Sequence, residues 1–178
     1  MKEKFMSYKL NSKELKYVSN LFGNIEARNG IGEDLFLSIS QLTPIINVDI
    51  ILESKKDNSI LLTWRSDDFY GPGWHIPGGI VRYKERLIDR LKYVARHELM
   101  LENLVFKGPI DFHEMFNFQR NIRGHFISFV FKSTLDGDPP IQIKAKNEKL
   151  IDGHWRWFKN CPDNFIKNQK SLKKYFVK

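Results

Sequence analysis

The chain has 178 residues, 42% hydrophobic and 28% charged, which is the composition of one ordinary globular domain and excludes a chain disordered throughout. A single cysteine, Cys161, excludes an internal disulfide and a thiolate zinc cluster; no run of about 18 apolar residues is present to cross a bilayer, and Met1 to Phe5 lack a signal core, so a soluble cytoplasmic protein is expected. Lysine and arginine outnumber aspartate and glutamate by 29 to 21, and the net charge of +8 favours anionic partners, either nucleic acid or phosphorylated small molecules.

Residues 1–40 read as a helical extension. Leu15, Val18, Leu21 and Phe22 follow a Ser12 cap at helical spacing, and Leu35, Phe36, Ile39 and Leu42 form a second pattern beyond Asn29, Gly30 and Gly32. From Pro44 branched residues dominate, predicting a strand over 45–53 in which one acid, Asp49, stands among apolar neighbours. Asp57 and Asn58 make a turn into a return strand over 59–65. Gly71, Pro72 and Gly73 break regular structure, and Trp74 to Pro77 lead into Gly78 and Gly79. Over 85–101, Leu87, Ile88, Leu91, Val94, Ala95 and Leu99 recur at helical spacing and predict one amphipathic helix. Two strands are predicted over 104–118 and 124–132, a short one over 154–158, and a closing helix over 162–176. Strands on both sides of one central helix, with a last helix for the other face, imply an α/β fold with a mixed sheet between helical layers.

The chemistry concentrates between Gly78 and Leu101. Glycines let a backbone approach a ligand closely, and a carboxylate on the following helix, Glu98, can reach the same space and hold a hard cation such as Mg2+ on a diphosphate. Gly79, five residues, Glu85, seven residues and the segment Tyr93 to Leu101 resemble a Nudix box, with Gly79, Glu85, Ala95, Glu98 and Leu101 fitting its pattern. Tyr93 stands in place of the box arginine, Val94 and His97 in place of two glutamates, and Met100 in place of the glycine. The resemblance implies a Nudix-type α/β/α sandwich, with the Nudix domain over 41–178 behind the 1–40 extension. A box reduced to one of its three helical carboxylates does not balance two or three cations.

A similarly reduced box occurs in the GDP-mannose mannosyl hydrolase branch, which cuts between the sugar's anomeric carbon and the diphosphate oxygen. Ser40 to Pro44 followed by Val48 to Ile51, Leu61 to Arg65, Gly73 to Gly79 and Trp155 to Trp157 are also similar to that branch. The resemblance implies Mg2+ held by the Gly78 carbonyl and Glu98, Arg65 on the diphosphate, and Asp49 at the sugar end. Glu85, the box's other carboxylate, joins the metal set or braces the corner between loop and helix. Ile80 occupies the position of a branch arginine, and Arg82, two residues on, is the nearest substitute. The branch carries a Gln and His pair where this chain has Ile151 and Asp152, so Asp152 is the expected base, with Glu148 or His154 as alternatives on a shifted loop. The expected activity is Mg2+-dependent hydrolysis of a nucleotide sugar, with homodimers, as in the branch, and neither membrane nor nucleic acid as partner. Two competing readings are a nucleoside diphosphate pyrophosphatase cutting at phosphorus and a non-catalytic module binding nucleotide or RNA.

Overall fold

The computed structural model describes residues 9–140 and 149–176. Two helices open the chain, α1 (Ser12–Gly23) and α2 (Glu33–Ile39). The cap of α1 is Asn11 rather than Ser12: its side chain accepts from the Lys13 and Glu14 amides, and Glu14 accepts from the Asn11 amide in return. Then come β1 (Ile45–Ser54), β2 (Ile60–Arg65), β3 (Gly73–His75), β4 (Gly78–Ile80), α3 (Leu87–Leu99), β5 (Lys107–Phe116), β6 (His125–Leu135) and β7 (Trp155–Phe158). The two three-residue strands fall in the glycine-rich segment that the sequence marks only as a break.

The sheet is mixed, in the order β3-β2-β1-β6-β5 with β4 on β1 and β7 on β2. β1 runs parallel to β6 along its whole length, from Ile45 opposite Phe126 to Ser54 opposite Leu135. Its other edge is shared: Glu53 pairs with Ile60 of β2, whereas Asn47, Val48 and Asp49 pair with β4. The sheet therefore forks beside the middle of β1.

Alternation along β1 divides the core. Val48, Ile50 and Leu52 pack beneath Leu91, Val94, Ala95 and Leu99 of α3. Asp49 and Ile51 face the other way, where Ile51 joins Trp74, Ile76, Val130, Phe165, Leu172 and Phe176. That second layer closes with a 3-10 helix (Lys167–Phe176) in place of the expected α-helix, kinked at Gln169 with φ −96° and ψ 18°. The kink coincides with a tertiary contact: the Gln169 amide accepts from Ile76 N–H at 2.8 Å and donates to Ile76 O at 3.1 Å, which holds the segment down on β3 and β4.

Candidate active site

Asp49 owes its setting to strand register. Asn47 and Asp49 share one face of β1, and Ser128, opposite Asn47 in the parallel pair, shares it too. Ser128 Oγ donates to Asp49 Oδ2 at 2.5 Å, Gln169 Nε2 to Oδ1 at 3.0 Å and Asn47 Nδ2 to Oδ1 at 3.3 Å. The acid is 1% exposed. Burial pushes its carboxyl up to about 6, against the pull of those three donors. Its partners are thus two amides and a hydroxyl, and no arginine pairs with it among the described residues. Gly78 sits opposite Asp49, and a Cβ there would lie 2.4 Å from Asp49 Oδ1 and 2.6 Å from Val48 O, so only glycine allows this approach.

Glu98, on the last turn of α3, is only partly exposed, and no hydrogen bond or ion pair reaches its carboxylate from the described residues. Desolvation pushes it up to about 8; the Arg65 charge opposes this and the Asp49 charge adds to it. Glu98 therefore lies within electrostatic reach of both. A carboxyl group with no donor, beside a second acid, gains its charge when a cation displaces the proton, which is the setting of a candidate metal ligand. Among the described residues there is no group of three or more His, Cys, Asp or Glu side chains placed to hold a metal ion.

Glu85 is committed to the loop-helix corner. Its Oε2 accepts from the Arg82 amide at 2.8 Å and from Arg90 Nε and Nη2 at 2.9 and 2.8 Å. Arg90 is 6% exposed and its guanidinium carbon lies 4.6 Å from the centre of the Tyr93 ring. Tyr93 stands at the box-arginine position, and Arg90, one turn earlier on the same face, meets Glu85 instead. Arg90 is a site residue absent from the expectations above, and its helical spacing, one turn before Tyr93, is the signal that marks it.

These groups adjoin a cleft of about 1010 Å³, large enough for a nucleotide. Asp49, Arg65, His75, Gly78, Arg82, Arg90, Arg123 and Gln169 line its polar part, and Phe22, Leu35, Phe36 and Ile39 of the N-terminal extension line an apolar wall. Arg65 forms an ion pair with Asp67 and lies 5.7 Å over the Tyr70 ring. Arg82 is exposed, 5.8 Å over Tyr93. His75 Nδ1–H donates to the Thr63 carbonyl at 2.9 Å; burial first, then the Arg65 charge, pull the ring down to about 3, which favours its neutral form.

Glu85, Glu98, Asp152 and His154 do not themselves line the cleft. Asp152 is exposed, accepts from Ser66 N–H and Oγ at 2.6 Å each, and its charge is felt at His75. His154 is 3% exposed; its carbonyl accepts from Trp64 N–H at 2.6 Å, and its Nδ1 faces the Ile151 amide at 3.4 Å. Glu148 lies outside the described residues.

A family model described as NUDIX domain matches residues 43–161. Among curated proteins, the low-salt glycan biosynthesis protein Agl8 of Haloferax volcanii is 28% identical over 112 residues, covering 61% of this chain and 70% of that protein. Among solved structures, a MutT protein from Methanosarcina mazei Go1 superposes with a TM-score of 0.53 at 19% identity, covering 75% of this chain and 91% of that one. A MutT NUDIX hydrolase from Burkholderia pseudomallei does so at 0.55 and 18% identity, over 76% of this chain and 99% of that one. At such identities the structural likeness establishes the fold: a mixed sheet flanked by helices.

Proposed function

Since the chain belongs to the Nudix family of hydrolases, we propose that it hydrolyses a nucleoside diphosphate sugar at the sugar's anomeric carbon. The observation that carries this reading is Glu98: one unpaired carboxylate beside Asp49 and Arg65, where the box pattern has three helical carboxylates. One such group suits neutralising a leaving diphosphate better than assembling several cations around an attacked phosphorus. The similarity to a glycan biosynthesis protein supports a substrate that carries a sugar.

In this reading the Glu98 carboxylate and the Gly78 carbonyl would hold Mg2+, which would supply positive charge beside the diphosphate. Arg65, steadied by Asp67, and Arg82, free of any carboxylate partner among the described residues, add forked donors to the same oxygens. Asp49 takes a sugar hydroxyl. Asp152, the exposed acid whose charge reaches His75, removes a proton from the attacking water. The new bond forms between water oxygen and anomeric carbon, and the C–O bond electrons leave with the nucleoside diphosphate. Attack from the far face inverts the sugar. The exposed apolar face of α1, Leu15, Leu21 and Phe22, supports a homodimer, which light scattering tests.

The deciding experiment is turnover of GDP-mannose in 18O-labelled water. Label in the free sugar, with unlabelled GDP, supports the proposal. Label in phosphate, with sugar 1-phosphate and nucleoside monophosphate as products, assigns the chain to cleavage at phosphorus instead.

A further inference from the structure

Arg123 closes the turn between β5 and β6 and lines the cleft. Its backbone is pinned on both sides: the N–H donates to Ser40 Oγ at 3.0 Å, and the carbonyl accepts from the Tyr70 hydroxyl at 2.5 Å. Its φ of 52° lies in the left-handed region that few side-chain-bearing residues occupy. The guanidinium carbon lies 4.7 Å from the Phe69 ring centre, 5.3 Å from Tyr70 and 5.8 Å from Phe36. Two separate stretches of chain, 36–40 and 69–70, thus converge to hold one cation at the cleft wall.

What that cation lacks is an anion. Among the described residues Arg65 has Asp67, Arg90 has Glu85, Arg86 has Asp89 and Arg96 has Glu102, whereas no carboxylate pairs with Arg123. Its Nε is buried with no acceptor. Arg120, in the same turn and against the same two rings, makes the contrast: its Nη1 donates to Phe69 O and its Nη2 to Asp68 O at 3.2 Å, the arrangement of an arginine that braces a loop. A guanidinium stays charged at every physiological pH, and burying a donor on it without an acceptor is costly. Its side chain also bonds the Tyr70 hydroxyl, a neutral partner, so the guanidinium's charge stays uncompensated and its remaining donors suit an oxyanion.

We propose that Arg123 is an anion-recognition residue of this cleft, donating through its guanidinium to a phosphate oxygen of the bound nucleoside diphosphate. The inference rests on the nucleotide-sugar reading above and adds a contact outside the family box. It also gives the N-terminal extension a task. Phe36 and Ser40 precede the matched NUDIX segment, which begins at residue 43, and they form part of the mount that aims Arg123 into the cleft.

Calorimetric titration with GDP, ADP and UDP in Mg2+ tests this, using the full chain and the variants Arg123→Met, Arg123→Gln and Arg123→Lys. The neutral variants are expected to bind the preferred nucleoside diphosphate about tenfold or more weakly, with the lysine variant between them and the wild type. Binding by either folded neutral variant within about twofold of wild type overturns the inference and leaves the nucleotide reading standing. A lysine variant as weak as the neutral ones makes Arg123 a packing residue and overturns it too. Wild type that binds none of the three diphosphates refutes the nucleotide-sugar reading itself, and the assignment of Arg123 with it.

Discussion

Replacing Asp49 with asparagine isolates the cost of keeping a buried acid at the fork of the sheet. Burial, the largest cause, pushes the carboxyl up to about 6 in the fold, from 3.8 for a free aspartate. Between those two pH values the native chain holds a proton that the unfolded chain has released, so stability falls as pH rises through this window. Below the unfolded value both states are protonated and there is no penalty; above about 6 the full penalty applies. The difference of about two units corresponds to about 3 kcal/mol. Asparagine has the same shape, its carbonyl can accept from Gln169 Nε2, and its amide can face the Ser128 hydroxyl, so little of the hydrogen bonding is lost. Asp49→Asn is therefore expected to be more stable than wild type by about 2 kcal/mol at pH 8, and equal to it near pH 4. Urea unfolding of both proteins from pH 4 to 8, in EDTA, measures this directly. In the same variant, sugar release should collapse, because the cost of burial is tolerated for the sake of an ionised acid beside the substrate. Unfolding curves that stay parallel across the whole range would falsify the claim that burial dominates at Asp49.

Glu98→Gln keeps the shape of the side chain and removes its charge; Mg2+-dependent turnover should fall roughly 100-fold or more while the fold persists, and a loss of only a few-fold in a Mg2+ titration would take Glu98 out of the metal site. Gly78→Ala places a methyl 2.4 Å from Asp49 Oδ1 and 2.6 Å from the fixed Val48 carbonyl. Overpacking of that kind should cost about 1–3 kcal/mol in urea unfolding, and an unchanged midpoint would show that the strands at the fork can slide apart. Glu85→Gln strands the buried Arg90 guanidinium and should cost about 3 kcal/mol, most of it recovered when Arg90→Met is added. A double variant as unstable as the single one would mean that Glu85 matters for something other than Arg90.

The features legible before folding are local. The apolar stripe of α3, the glycine pair ahead of it and the position of Glu98 near its end all follow from helical periodicity and from backbone freedom within a stretch of chain between Gly78 and Leu101. The branched run of β1 and the odd acid within it were legible for the same reason: side chains alternate along a strand whatever else surrounds it. The partners of that acid were not legible. Ser128 lies 79 residues from Asp49 and Gln169 lies 120 away, and they meet it only because β6 pairs parallel to β1 in one register and the closing 3-10 helix bends at Gln169. Arg90 took the place of an arginine that a linear pattern seeks at Tyr93, since a helix presents residues one turn apart on one face. Arg123 entered the cleft through contacts with Ser40, Phe36, Phe69 and Tyr70, none of them near it in the chain. Periodicity belongs to covalent geometry and can be read residue by residue, whereas burial, register and the charges that shift Asp49 and Glu98 exist only once distant segments have packed together.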